Sequence, residues 1–147
     1  MNTFLLAAGT LSAIAALMHV GCIVFGASWY RFFGAGEKMA LLAEQKSIKP
    51  ALITCGIVAV LSVWALYAFS AATLSFALPY PRIVLVLITL VYSVRGLAGL
   101  LLIKKPMGNT PRFWLWSSVI CLLIGMIHLV GLSQQWPNLK AIFLFDN

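Results

Sequence analysis

Apolar positions along the chain fall into four long runs, and charged positions fall between them. Met1 to Tyr30 holds no charged residue, and neither does the 31-residue stretch from Ala51 to Pro81. Ile83 to Ile103 carries one charge, Arg95, and Phe113 to Leu139 carries none but contains His128. A helix rising about 1.5 Å per residue crosses roughly 30 Å of hydrocarbon in about 20 residues, and each run is that long. In lipid the backbone has to satisfy its own hydrogen bonds, so runs of this length must be helices. The pattern predicts an all-α, polytopic membrane protein. It forms a single four-transmembrane-helix bundle, with spans at about 4–28, 50–72, 82–103 and 113–134.

The connections carry their own signals. Trp29, Tyr30, Phe32 and Phe33 surround Arg31, the aromatic and basic mixture of a membrane–water interface. Gly34-Ala35-Gly36 then predicts a break. Glu37 to Ser47 has good helix formers, with Glu37 placed to suit the helix dipole. Met39, Leu41 and Leu42 can face lipid while Lys38, Glu44 and Lys46 stay wet, which predicts a short interfacial helix. Pro50 opens span two where a helix tolerates proline best. Pro79 and Pro81 bracket a tight turn. Lys104-Lys105-Pro106 stops span three, and Met107 to Pro111 reads as a polar turn. An aromatic belt, Phe113-Trp114-Leu115-Trp116, opens span four, and Trp136-Pro137 marks the far interface.

Composition agrees with the pattern. The hydrophobic share of 63% and mean hydropathy of +1.03 exceed the ~45–50% apolar content of globular chains. Four spans leave room for connections and a tail, not for a soluble domain. A net charge of +7 raises the question of nucleic acid, but the basic residues flank the spans and make no continuous stripe. No nucleic-acid partner is expected; the bilayer is. The same residues set topology. Arg31, Lys38, Lys46 and Lys49 with Lys104, Lys105 and Arg112 stand on one side, against Arg82 and Lys140 on the other. The positive-inside rule then places both termini outside the cytoplasm. The first run lacks a basic n-region and reads as a span.

Membrane helices associate through close packing of small residues and polar contacts. Stripes of such residues predict the interior faces. Span one offers Ala8, Ser12, Ala15, His19, Cys22 and Gly26, and span four offers Ser118, Cys121, Gly125, His128, Leu132 and Gln135. Span three offers Thr89, Tyr92, Arg95 or Gly96, and Gly99. Span two offers Cys55, Ala59, Ser62 and Ala65.

Three groups in the spans can carry chemistry. Arg95 lies nine residues from Lys104, too deep for its side chain to reach water directly. A central arginine costs from about 2.5 to over 10 kcal/mol without a partner, and the spans hold no Asp or Glu. Tyr92, Ser93, carbonyls and water are internal candidates; a carboxylate, phosphate or quinone carbonyl of an amphiphilic small molecule is an external one. Arg95 is expected to point into the bundle, with Tyr92, His19 and His128 around the ligand. A second possibility is a haem held by His19 and His128, but their depths differ by roughly 5–13 Å at 1.5 Å per residue. A third is a copper or zinc site from His19, Cys22 and Cys121. With no CxxC pair, the three cysteines predict no disulfide framework.

Catalytic signatures are missing: there is no HExxH, GxSxG, Walker loop or GxGxxG. No span carboxylate is present to drive proton-coupled exchange. The expected function is a non-catalytic auxiliary or a binder of a lipid-like ligand. A haem or metal redox protein and a small oligomeric transporter are the alternatives. A homo-oligomer or a larger membrane complex is compatible with this size.

The segment Trp29-Tyr30-Arg31-Phe32-Phe33-Gly34-Ala35-Gly36-Glu37 resembles the loop of a group of small bacterial inner-membrane proteins, and Phe113-Trp114-Leu115-Trp116-Ser117-Ser118 resembles their fourth-span start. The resemblance implies four helices, a bacterial inner membrane and no particular activity. Size and span number alone also resemble the DoxX-type four-helix proteins, which transfers no function.

Overall fold

A computed structural model describes residues 1–104 and 108–139. Its helices are α1 (Thr3–Phe25), α2 (Ala27–Phe32), α3 (Glu37–Glu44), α4 (Lys49–Thr73), α5 (Pro81–Leu102) and α6 (Pro111–Gln135), closed by a 3-10 turn at Trp136–Asn138. No strand occurs among the described residues. Helices α1, α4, α5 and α6 (the last continued by the 3-10 turn) are each long and apolar enough to cross a membrane, as the charge-free runs predict. Lys105, Pro106 and Met107 of the expected stop signal and turn, and Lys140, lie outside the described residues.

Helix α1 packs chiefly on α4, and α5 on α6; contact between α1 and α6 joins the two pairs. Small residues set these approaches. A Cβ on Gly9 would meet the Phe69 ring at 2.8 Å and the Ala65 carbonyl at 3.2 Å. One on Gly96 would meet Leu122 Cγ at 2.6 Å and the Ser118 carbonyl at 3.0 Å. Such approaches give van der Waals contact where lipid supplies no hydrophobic drive between helices.

Polar side chains fasten one end. Asn2 caps α1, its Oδ1 accepting from the Leu5 amide at 2.9 Å. Its amide donates to the Ala72 carbonyl at 2.8 Å, and its Nδ2 donates to the Gly131 carbonyl at 3.2 Å and to Gln134 Oε1 at 3.1 Å. Gln135 Nε2 donates to the Ala71 carbonyl at 2.9 Å. Arg82 lies over the Trp136 ring at 5.0 Å and donates to that residue's carbonyl at 3.1 Å.

At the other end α1 stops at Gly26, whose φ of 65° favours glycine. This turn precedes the expected break at Gly34–Gly36, so the predicted span end near 28 moves back to Phe25 and the aromatic stretch becomes helix α2. The bend seats Trp29 on Gly21 and stacks it on Phe25 at 4.6 Å. Gly34 and Gly36, with φ of 70° and 94°, make a second break before α3. The expected interfacial helix is present and ends at Glu44 rather than Ser47. Arg31 ties it down: Nη2 meets Glu37 Oε1 at 2.6 Å, and Nη1 meets Glu44 Oε1 at 2.5 Å. Hydrogen bonding to Arg31 holds both carboxyl groups below their ordinary range.

The interior faces of α5 and α6 follow the expected stripes, with Tyr92, Gly96, Gly99, Ser118, Gly125 and His128 buried. On α1 the buried face is turned toward Gly9 and Ala16, leaving Ala15 and His19 at its edge. On α4 the expected Ala65 is inside, together with Leu61, Ala68 and Ala72, whereas the expected Cys55, Ala59 and Ser62 are exposed. Those alanines admit α1 and the Asn2 fastening, whereas the other small residues face outward.

Candidate functional site

Arg95 is half-buried and turns toward α6. Its Cα lies seven residues from Leu102, about 10 Å from that end of α5 at 1.5 Å per residue. The side chain leans back toward that end. Its guanidinium carbon lies 4.9 Å from the centre of the Trp114 ring, a cation–π contact. Nη2 donates to Ser117 Oγ at 3.4 Å, a long bond. Nη1 is buried and has no partner.

A second orphan lies beside it. Ser118 is fully buried, and its Oγ has no hydrogen-bond partner. Gly99 faces both atoms: a Cβ there would sit 2.1 Å from Ser118 Oγ and 2.7 Å from Arg95 Nη1. The two polar atoms are therefore less than about 5 Å apart. Gly96 packs against Leu122 beside them. A bared guanidinium nitrogen and a bared hydroxyl thus converge between two helices, where an unpaired polar group is costly.

Tyr92 belongs to a different cluster. Its hydroxyl is 3.0 Å from Ser12 Oγ, and its ring meets Trp64 at 5.0 Å and His128 at 5.5 Å. His128 is fully buried. Its Nδ1 pairs with the Ile124 carbonyl at 3.0 Å, which requires Nδ1 to carry the proton and leaves Nε2 a bare acceptor. Nε2 has no partner. Of the expected ring around one ligand, Arg95 thus lies at the α5–α6 contact, whereas Tyr92 and His128 meet at the bundle centre.

His19 is half-buried, bonded through Nδ1 to the Ala15 carbonyl at 2.7 Å. It lies seven residues along α1 from Ser12, which touches Tyr92 beside His128; that is about 10 Å of depth at 1.5 Å per residue. The two histidines therefore stand at different depths, His128 fully buried and His19 at the edge of α1. Cys22 is buried on α1 and Cys121 half-buried on α6. Among the described residues no three His, Cys, Asp or Glu side chains come together as a metal-ligand group, so His19, Cys22 and Cys121 are not assembled into one. Helices α1 and α4 also border a separate apolar groove of about 330 Å³ between Ala13, Ala16, Val58, Ser62 and Phe69.

The sequence singles out Arg95 and gives Ser118 only a packing role; it marks neither Trp114 and Ser117 as partners of Arg95 nor Ser12 as the partner of Tyr92. The α5–α6 hairpin register carries the signal, since an antiparallel return brings Ser118 back opposite Gly99.

No family model matches the chain, and no curated protein or solved structure is significantly similar to it.

Proposed function

We propose that this is a non-catalytic protein of a bacterial inner membrane that binds a membrane amphiphile, with the ligand's polar head held by Arg95 between α5 and α6. One observation carries the reading: two buried polar atoms, Arg95 Nη1 and Ser118 Oγ, lack partners and converge over Gly99. Arg95 leans toward the α3 end of the bundle, and the excess of basic residues at that end supports a cytoplasmic side there, with both termini outside. An auxiliary role beside another membrane protein, or as a homo-oligomer, is compatible with ligand binding.

Arg95→Leu is expected to preserve folding and remove the ligand that co-purifies with the wild type, read by mass spectrometry of protein extracted from membranes. Arg95→Lys retains part of it, because an ammonium cannot reproduce the planar fork of donors. Unchanged ligand content in Arg95→Leu would sink the proposal. A Soret band or stoichiometric metal in the purified protein would favour the redox alternative instead.

A further inference from the structure

We propose that the α3 end of the bundle retains anionic phospholipids, whose phosphates are held at the headgroup layer by Lys38, Lys46, Lys49, Lys104 and Arg112. This surface lies outside the helix bundle and needs no ligand at Arg95.

The fold gathers these cations from separate parts of the chain. From Gly26 the backbone runs through α2 and then α3, which packs on α4. Between α2 and α3 it touches the start of α6: a Cβ on Gly34 would meet Phe113 Cβ at 3.0 Å, and one on Gly36 would meet Asn109 Oδ1 at 2.7 Å. Lys38 stands two residues past Gly36, and Arg112 is next to Phe113. Lys46 and Lys49 flank the turn from α3 into α4, and Lys104 follows the end of α5. All five are exposed.

Their charge has no counter-ion in the protein. The described acids are Glu37 and Glu44, and Arg31 engages both. None of the five cations has an ion-pair partner among the described residues. A zwitterionic lipid brings an ammonium beside its phosphate, so the two charges largely cancel at this surface. An anionic phospholipid brings a negative charge that nothing cancels. Each lysine or arginine near such a surface adds to the attraction, within about a Debye length.

The setting favours a lipid over a soluble polyanion. Lys49 is the first residue of α4 and Arg112 the second of α6, so both stand where helices of membrane-spanning length begin. Large apolar side chains stand among the cations: Phe32, beside Arg31, is 81% exposed, and Ile48, beside Lys49, is 75% exposed. A nucleic acid or an acidic soluble protein would leave them in water. At a bilayer surface they enter the acyl boundary, while the lysine stems carry their ammonium groups out to the phosphates.

The test uses the full-length protein in phosphatidylcholine bilayers with a trace of chain-labelled spin probe, either phosphatidylglycerol or phosphatidylcholine. The electron-spin spectrum separates probe held at the protein from probe in the bulk bilayer. Phosphatidylglycerol should be held about threefold to tenfold more strongly at low salt, with the preference falling toward equality in molar salt. Lys38→Gln/Lys46→Gln/Lys49→Gln and Lys104→Gln/Arg112→Gln should each lower the preference by at least about twofold. Arg82→Gln removes a cation beside Trp136, at the other end of the bundle, and should leave it unchanged. Every variant is checked for wild-type helix content. Equal retention of the two lipids, a preference that survives both multiple substitutions, or an equal loss in Arg82→Gln would overturn the proposal. So would a DNA oligonucleotide that binds the bilayer-embedded protein and displaces the phosphatidylglycerol probe, which would assign the surface to a soluble polyanion. Each of these failures leaves the reading of Arg95 untouched.

Discussion

Tyr92 of α5 stands where four helices meet: its ring touches Trp64 of α4 and His128 of α6, and its hydroxyl pairs with Ser12 of α1. Tyr92→Phe should lower stability by about 0.6–2 kcal/mol, because Ser12 loses its partner in a buried position. His128 behaves differently. Its Nε2 already lacks a partner, so His128→Leu removes a buried polar atom without orphaning another side chain. That variant should unfold at the same or a higher temperature than the wild type. Clear destabilisation would mean that Nε2 has a structural role outside the contacts described. Arg95 was legible in the chain as an anomaly, a lone charge in an apolar run. Its surroundings were not, because they depend on the side chain's lean toward Trp114 and on the hairpin register that brings Ser118 to Gly99.

Among the elements, α3 depends most visibly on one residue. Arg31 holds Glu37 and Glu44 together, and nothing in the sequence spacing pairs an arginine in the aromatic run with two acids on the next helix. Arg31→Gln should speed amide exchange in α3 while leaving the spans protected. The pH dependence has a definite sign. Both carboxyl groups are held low by Arg31, so their contribution is present above the ordinary glutamate value of 4.5 and is lost as pH falls below it through their depressed values. Exchange in α3 should therefore be steady from neutral pH down to that region and rise below it. The effect is small because the pair is exposed. Element existence was legible because charge-free runs admit only helices in lipid. The face of α4 was not: Cys55, Ala59 and Ser62 are small, yet they face outward, since small size permits close packing without requiring it. The break at Gly26 was also hidden, because the chain offers three glycines there and only backbone geometry selects the first.

For the whole molecule, the fastening at the Asn2 end and the packing of α1 on α6 hold the α1–α4 and α5–α6 pairs in one bundle. Asn2→Ala should cost about 1–2 kcal/mol by removing a helix cap and its bonds to α6. The proposed orientation rests on the distribution of basic residues. Single cysteines at Lys46, Pro79 and Asn109, in a background without the native three, should give one accessible position from the outside, at 79, and two protected ones. The reverse pattern would invert the topology and move the α3 end to the other leaflet. The central claim concerns Arg95, and an experimental structure of the wild-type protein in native lipid tests it most directly. The account predicts ligand density between α5 and α6, with an oxygen in hydrogen-bond reach of both Arg95 Nη1 and Ser118 Oγ. A guanidinium turned out to the lipid, with no ligand density beside Arg95 and Ser118, would contradict it.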